Sequence, residues 1–154
     1  MPQPRILAID YGSVRIGLAL SDELKIIASP LERVQSASPA KNVECIVQYI
    51  HMLATTKNYV IGEIVIGLPR NMNGSDSKTT TIVREFSTLL QKALPDIPVR
   101  LFDERLSSVQ AERMLKEVAF TRKKRAAFVD SVSAVIILQS YLNATTVSPF
   151  SIPS

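Results

Sequence analysis

The segment Arg5-Ile-Leu-Ala-Ile-Asp-Tyr-Gly-Ser-Val-Arg-Ile-Gly-Leu-Ala19 constrains this chain more than any other: an apolar run, a short polar break and a second apolar run. That spacing predicts a β-hairpin. The first run, Ile6 to Ile9, is continuously apolar and too short for an independent helix, the pattern of a central strand covered on both faces. A third short strand is expected around residues 26–34. After turn chemistry at Ser36 to Pro39, Val43, Ile46, Val47, Ile50 and Leu53 recur at helical spacing and predict a helix over residues 39–57.

Glu63-Ile-Val-Ile-Gly-Leu-Pro-Arg70 reads as another buried strand, stopped by Gly67 and Pro69, with a polar loop at Asn71 to Ser75. A second helix carries Ile82, Val83, Phe86, Leu89, Leu90 and Ala93 on one stripe, and a strand follows from Val99. Ser107 with Gln110 is a capping-box pattern that starts a third helix. A last helix is expected from Ala126 to Leu142. With no internal repeat or linker, this order predicts one α/β domain over residues 1–143 and a loosely ordered tail over 144–154. Hairpin connectivity followed by two right-handed crossovers gives a five-stranded mixed sheet flanked by helices. It is antiparallel through its first three strands and parallel from the first strand to the fourth and fifth. Ligands of such sheets sit at the carboxyl ends of the parallel strands, which here carry Asp10, the loop after Gly67, and Asp103-Glu104.

Composition bounds the function. A chain of 154 residues, 46% apolar, buries a core without disulfide or metal staples. A single Cys45, no signal peptide and no apolar run of about 18 residues predict a cytoplasmic protein with no membrane partner. The net charge of +4 is compatible with a polyanionic partner.

Three acids need a reason. Asp10 ends the most apolar strand, where a carboxylate loses hydration unless cations or N–H donors face it; Asp10-Tyr11-Gly12 reads equally as a hairpin turn. Gly12 permits a tight turn or the close approach of a ligand. Period-two alternation sends Asp103 to one face and Glu104 to the other, so only one readily reaches Asp10, while the other pairs with Arg105 or caps the next helix. Asp130 lies in a helix apolar around nearly its whole circumference, hence largely buried, with small Ser133 and Ala134 beside it. Carboxylates converging from two strand ends and a helix repel one another unless divalent cations neutralise them. Hard oxygen ligands select Mg²⁺ or Mn²⁺, and a pair of such ions stabilises the attacking and leaving oxygens of an in-line phosphodiester displacement.

Four ordered motifs, Asp10-Tyr-Gly-Ser-Val-Arg-Ile-Gly-Leu-Ala-Leu-Ser-Asp22, Val65-Ile-Gly-Leu-Pro69, Asp103-Glu-Arg-Leu-Ser-Ser108 and Asp130 ahead of Ala134-Val-Ile-Ile-Leu-Gln139, closely resemble the YqgF or RuvX-type family. The resemblance implies a ribonuclease H-like domain related to Holliday-junction resolvases and a nuclease that matures the 5′ end of pre-16S ribosomal RNA. It implies Asp10, Glu104 and Asp130 as catalytic metal ligands, with Asp103 as second choice. Ser107-Ser108 and Ser133 depart from the residues usual in the family but preserve size.

For nucleic-acid contact the sequence offers Arg15, Arg70, Asn71, Arg105 and the run Arg122-Lys123-Lys124-Arg125, all suited to phosphates; Gly12 and Gly67 offer backbone approach. A plain strand stop explains Gly67 equally well, and a basic run is also ordinary solvated surface. Gly12 to Gly17 matches the outer glycines of a P-loop, but Leu18 replaces the required lysine. His51 has no Cys or His ligand nearby, which excludes a zinc site, and Cys45 has no adjacent base. With no Trp and 6% aromatic residues, extensive base stacking is not the mode of recognition, although Tyr11 is expected beside the site.

The expected function is a metal-dependent nuclease of structured RNA, with branched DNA as the alternative substrate. An actin-like kinase shares the Asp-x-Gly hairpin but needs two lobes. A non-catalytic binder of ribosomal precursors gains nothing from clustered carboxylates. A resolvase would act as a dimer, whereas trimming one RNA strand sets no oligomeric state.

Overall fold

Side-chain alternation along the first strand decides what lies on each side of the sheet. In the computed structural model, which describes residues 2–106 and 131–145, β1 (Arg5–Asp10) sends Leu7 and Ile9 to one face and Ile6 and Ala8 to the other. Both faces are buried, as the unbroken apolar run requires.

β2 (Arg15–Ser21) returns antiparallel to β1, with Asp10 opposite Gly17. Two short pieces extend that side, β3 (Ala28–Pro30) and β4 (Val34–Gln35), both antiparallel to β2. The expected single strand over 26–34 is therefore two strands, and the sheet has six strands rather than five. The first of the two starts only at Ala28 because Asp22 Oδ1 accepts from the N–H groups of Ile26 (2.7 Å) and Ile27 (2.9 Å), which holds 22–27 as a turn ahead of β3.

The first helix, α1 (Pro39–Lys57), occupies the residues its periodicity predicts. It is capped by Ser38 and closed by left-handed Asn58. β5 (Ile61–Leu68) runs parallel to β1, α2 (Lys78–Ala93) begins with a reciprocal Ser77–Thr80 capping box, and β6 (Val99–Asp103) lies parallel to β5. A single 3₁₀ turn, Glu104–Leu106, follows. The last described helix, α3 (Val132–Thr145), runs past the expected end at Leu142. The strand order is β3-β2-β1-β5-β6.

One core lies between the sheet and α1/α2, around Phe86, Ile46, Ile64 and Ile66. The other lies under α3 and joins Ile6, Ala8, Val65 and Phe102 to Ala134, Leu138 and Leu142. Ile82, expected on the inner stripe of α2, is 44% exposed, because Val83, Phe86 and Leu90 already fill the stripe facing the sheet. Polar contacts fix α3 over its face. Ser131 Oγ donates to the carbonyl of Leu31 (2.8 Å), Gln139 bonds both Ala28 N and the Ile26 carbonyl, and Tyr141 donates to Glu63, which also accepts from Arg100 Nε (2.7 Å). No described helix is long and apolar enough to cross a membrane.

Candidate active site

Asp10 closes β1 on the residue parity of Ile6 and Ala8, so it belongs to the face that α3 covers. Glu104 follows β6 on the parity of Phe102, which is buried on that same face. The strand between them is β5, and its residue at this level is Gly67, paired with Phe102 in register. A Cβ on Gly67 would sit 2.4 Å from Ile137 Cδ1 and 2.8 Å from Glu104 Oε1. The missing side chain is therefore what admits the Glu104 carboxylate over the middle strand. Gly67 lies inside β5 and does not stop it. Its expected close approach is made by Glu104 and α3, a signal carried in the sequence by one glycine inside an otherwise Ile/Val strand.

The electrostatics follow from that placement. Burial raises the pKa of Asp10. Glu104 is pushed up to about 7, by burial first and then by the negative charges of Asp10 and Asp103. Among the described residues neither carboxylate has a hydrogen-bond or ion-pair partner, and no three acidic, His or Cys groups converge. The third expected acid, Asp130, lies outside the described residues, as do Arg122, Lys123, Lys124 and Arg125. Two hard oxygen donors, both raised by burial and Glu104 also by its acidic neighbours, fit a divalent cation, which would neutralise both.

Asp103 goes the other way. Its carboxylate takes the Arg105 guanidinium through Nε (3.1 Å to each oxygen) and Nη2 (2.7 Å), and the Arg105 backbone N–H at 2.9 Å. Arg70 Nη1 stands 3.9 Å away. The Arg105 hydrogen bond is the main reason its pKa is lowered. The alternation of Asp103 and Glu104 is thus realised, with Glu104 on the face of Asp10 and Asp103 committed to arginines.

Arg70 also pairs with Asp76, its buried Nε standing 3.5 Å from Oδ1 without the geometry of a hydrogen bond. Asn71 stays within its own loop, donating to Ser75 Oγ (2.9 Å). Arg15 is exposed at the start of β2, opposite Gln35. At Gly12 a Cβ would meet the Arg15 carbonyl oxygen at 2.3 Å, which makes this glycine a requirement of the tight hairpin. Tyr11 is not beside the site. Its ring packs on Phe86 (centroids 4.5 Å apart) and its hydroxyl accepts from Asn42 Nδ2 (2.8 Å), because its parity places it in the opposite core.

Comparison with known proteins gives this geometry a family. A protein of Protochlamydia amoebophila named as a candidate pre-16S rRNA nuclease is 52% identical over 145 residues, 93% of this chain and 96% of its own. One of the same name from Halothermothrix orenii is 44% identical over 139 residues, 90% of this chain and 94% of its own. The solved structure of Thermus thermophilus RuvC in complex with a Holliday junction substrate superposes with a TM-score of 0.52 at 16% identity, covering 93% of this chain and 97% of that one. At that identity the likeness is one of fold, and the fold is ribonuclease H-like. The family described as RuvX, Holliday junction resolvase, matches residues 4–144. On that match the chain belongs to the RuvX family and is, by class, a nuclease that hydrolyses phosphodiester bonds.

Proposed function

We propose that this protein is a divalent-cation-dependent nuclease of structured RNA that processes the 5′ end of pre-16S rRNA in the cytoplasm. The observation that carries the reading is the pair Asp10 and Glu104, brought to one side of the sheet across the bare Gly67, with no cationic side chain among the described residues directed at either. Folding alone gains nothing from two such carboxylates. Asp10 and Glu104 would hold Mg²⁺ or Mn²⁺, with Asp130 as the third ligand. The cation would supply Lewis acidity toward the scissile phosphodiester and neutralise the paired acids. Arg70, Arg105 and Arg15 would orient the strand, and the run from Arg122 to Arg125 would hold the flanking backbone.

The homologues' names favour RNA, and the family description keeps a four-way DNA junction as the second reading. The test sets wild type beside Asp10→Asn on a labelled pre-16S 5′-leader RNA and on a four-way DNA junction, each with Mg²⁺ or Mn²⁺. Cleavage of the RNA, reduced at least about a thousand-fold in the variant as loss of a group acting in the transition state requires, supports the reading. Paired symmetric nicks in the junction with the RNA intact would replace it by the second, and full activity in Asp10→Asn would remove Asp10 from the site.

A further inference from the structure

The loop from Arg70 to Asp76 carries a feature that neither the fold nor the paired acids use. Met72 is 97% exposed, a large apolar side chain that contributes nothing to the core. Its backbone is nevertheless tied down. The Asn71 N–H donates to the Ser75 carbonyl (3.0 Å) and the Gly74 N–H to the Asn71 carbonyl (2.8 Å). Asn73 Oδ1 accepts from Ser75 N (2.9 Å) and Ser75 Oγ (2.6 Å). Gly74 turns at φ +88° with the Arg105 guanidinium 3.5 Å from where its Cβ would be. Arg105 Nη1 donates to the Met72 carbonyl (3.3 Å), and the other edge of that guanidinium is held by Asp103. One arginine side chain thus links the residue beside Glu104 to the backbone of the exposed methionine.

The surroundings say what Met72 meets. Arg70, Lys78, Arg84 and Arg105 border the loop against Asp76 and Asp103, so cations outnumber acids and the setting suits a polyanion. An apolar side chain carried on a hydrogen-bonded loop within a cationic rim suits a nucleic-acid base exposed at a break in stacking, either by insertion at the step or by sulfur against the base face. A continuous duplex offers no such face.

We propose that Met72 is a substrate-reading residue that contacts an unstacked base beside the scissile phosphate, and that Arg105, anchored by Asp103, is the bracket that positions it. The assignment deepens the nuclease reading by naming its substrate as nucleic acid with a stacking break, a helix end or branch, in preference to uniform duplex.

The test uses binding as well as cleavage. The full chain carrying Asp10→Asn is titrated onto a stem-loop RNA with 2-aminopurine at the stem end and onto a blunt uniform duplex with the probe in its centre. The expected result is a rise in fluorescence on the stem-loop alone, abolished by Met72→Ala and kept by Met72→Leu. Cleavage of the stem-loop by otherwise wild-type protein should fall about ten-fold in Met72→Ala, the scale of one lost base contact, and be restored in Met72→Leu. Asp103→Asn should blunt the fluorescence response, because Arg105 loses its anchor. Equal responses from Met72→Ala and its parent, or an equal rise on the central duplex probe, would overturn the inference even where wild type cuts. A wild type that cuts neither RNA while Met72 still governs the fluorescence would overturn the nuclease reading alone.

Discussion

At Glu104 the same burial that would suit the carboxylate to a cation makes it a liability without one. Its pKa in the folded protein is about 7 against 4.5 for the free side chain. Below 4.5 both folded and unfolded chains hold the proton and nothing is lost. As pH rises, the unfolded chain releases its proton first, so stability falls until the folded carboxyl has also ionised above about 7. Glu104→Gln removes this term. With divalent metal chelated, the variant is expected to exceed wild type by about 1–2 kcal/mol at pH 8, allowing for solvent screening, and to match it near pH 4.5. Urea midpoints at the two pH values check this; a gain of equal size at both would point to packing instead. Asp10 and the split between Asp103 and Glu104 were legible in the sequence, because a polar residue ending an apolar strand and strict alternation are local signals. That Glu104 rather than Asp103 faces Asp10 was not readable from alternation. It depends on which face each parallel strand turns to α3, and that is a property of the assembled sheet. Tyr11 was misplaced for the same reason.

Among the elements, α1 and the buried strands were the most legible, since apolar period and caps act within the element. The piece that period could not reveal is Asn42, a polar residue fully buried on the inner face of α1. Its Oδ1 accepts from Ala37 N (2.8 Å), and its Nδ2 faces the Tyr11 hydroxyl (2.8 Å), Ser36 Oγ (3.2 Å) and the Ala37 carbonyl (3.2 Å). One amide therefore joins the first turn of α1, the chain entering it, and the end of β1. Asn42→Ala would leave several buried polar groups without partners, at a cost of about 2–3 kcal/mol. Thermal or urea unfolding measures it. A loss below about 0.5 kcal/mol would mean that water replaces the amide. The late start of β3 at Ala28 is invisible to period because it is made by side-chain acceptance at Asp22, a non-periodic signal.

For the whole molecule, β1 belongs to both cores and pairs on one side with the hairpin and on the other with the crossover half. Neither half can keep its sheet without it, so unfolding is expected to be one cooperative transition, with far-UV circular dichroism and tyrosine fluorescence giving the same midpoint. Separated midpoints would mean that the antiparallel and parallel sides melt independently. The position of β1 also sets an order of events during synthesis. Its partner on the hairpin side is made at once, but β5, which covers its other edge, begins only at Ile61. At about 5–20 residues per second, the most apolar edge of the nascent chain stays open for roughly 3–10 s, and Glu104 joins Asp10 later still. A chain built in this order emerges from the ribosome without its paired acids, and gains them only after β6 has been made.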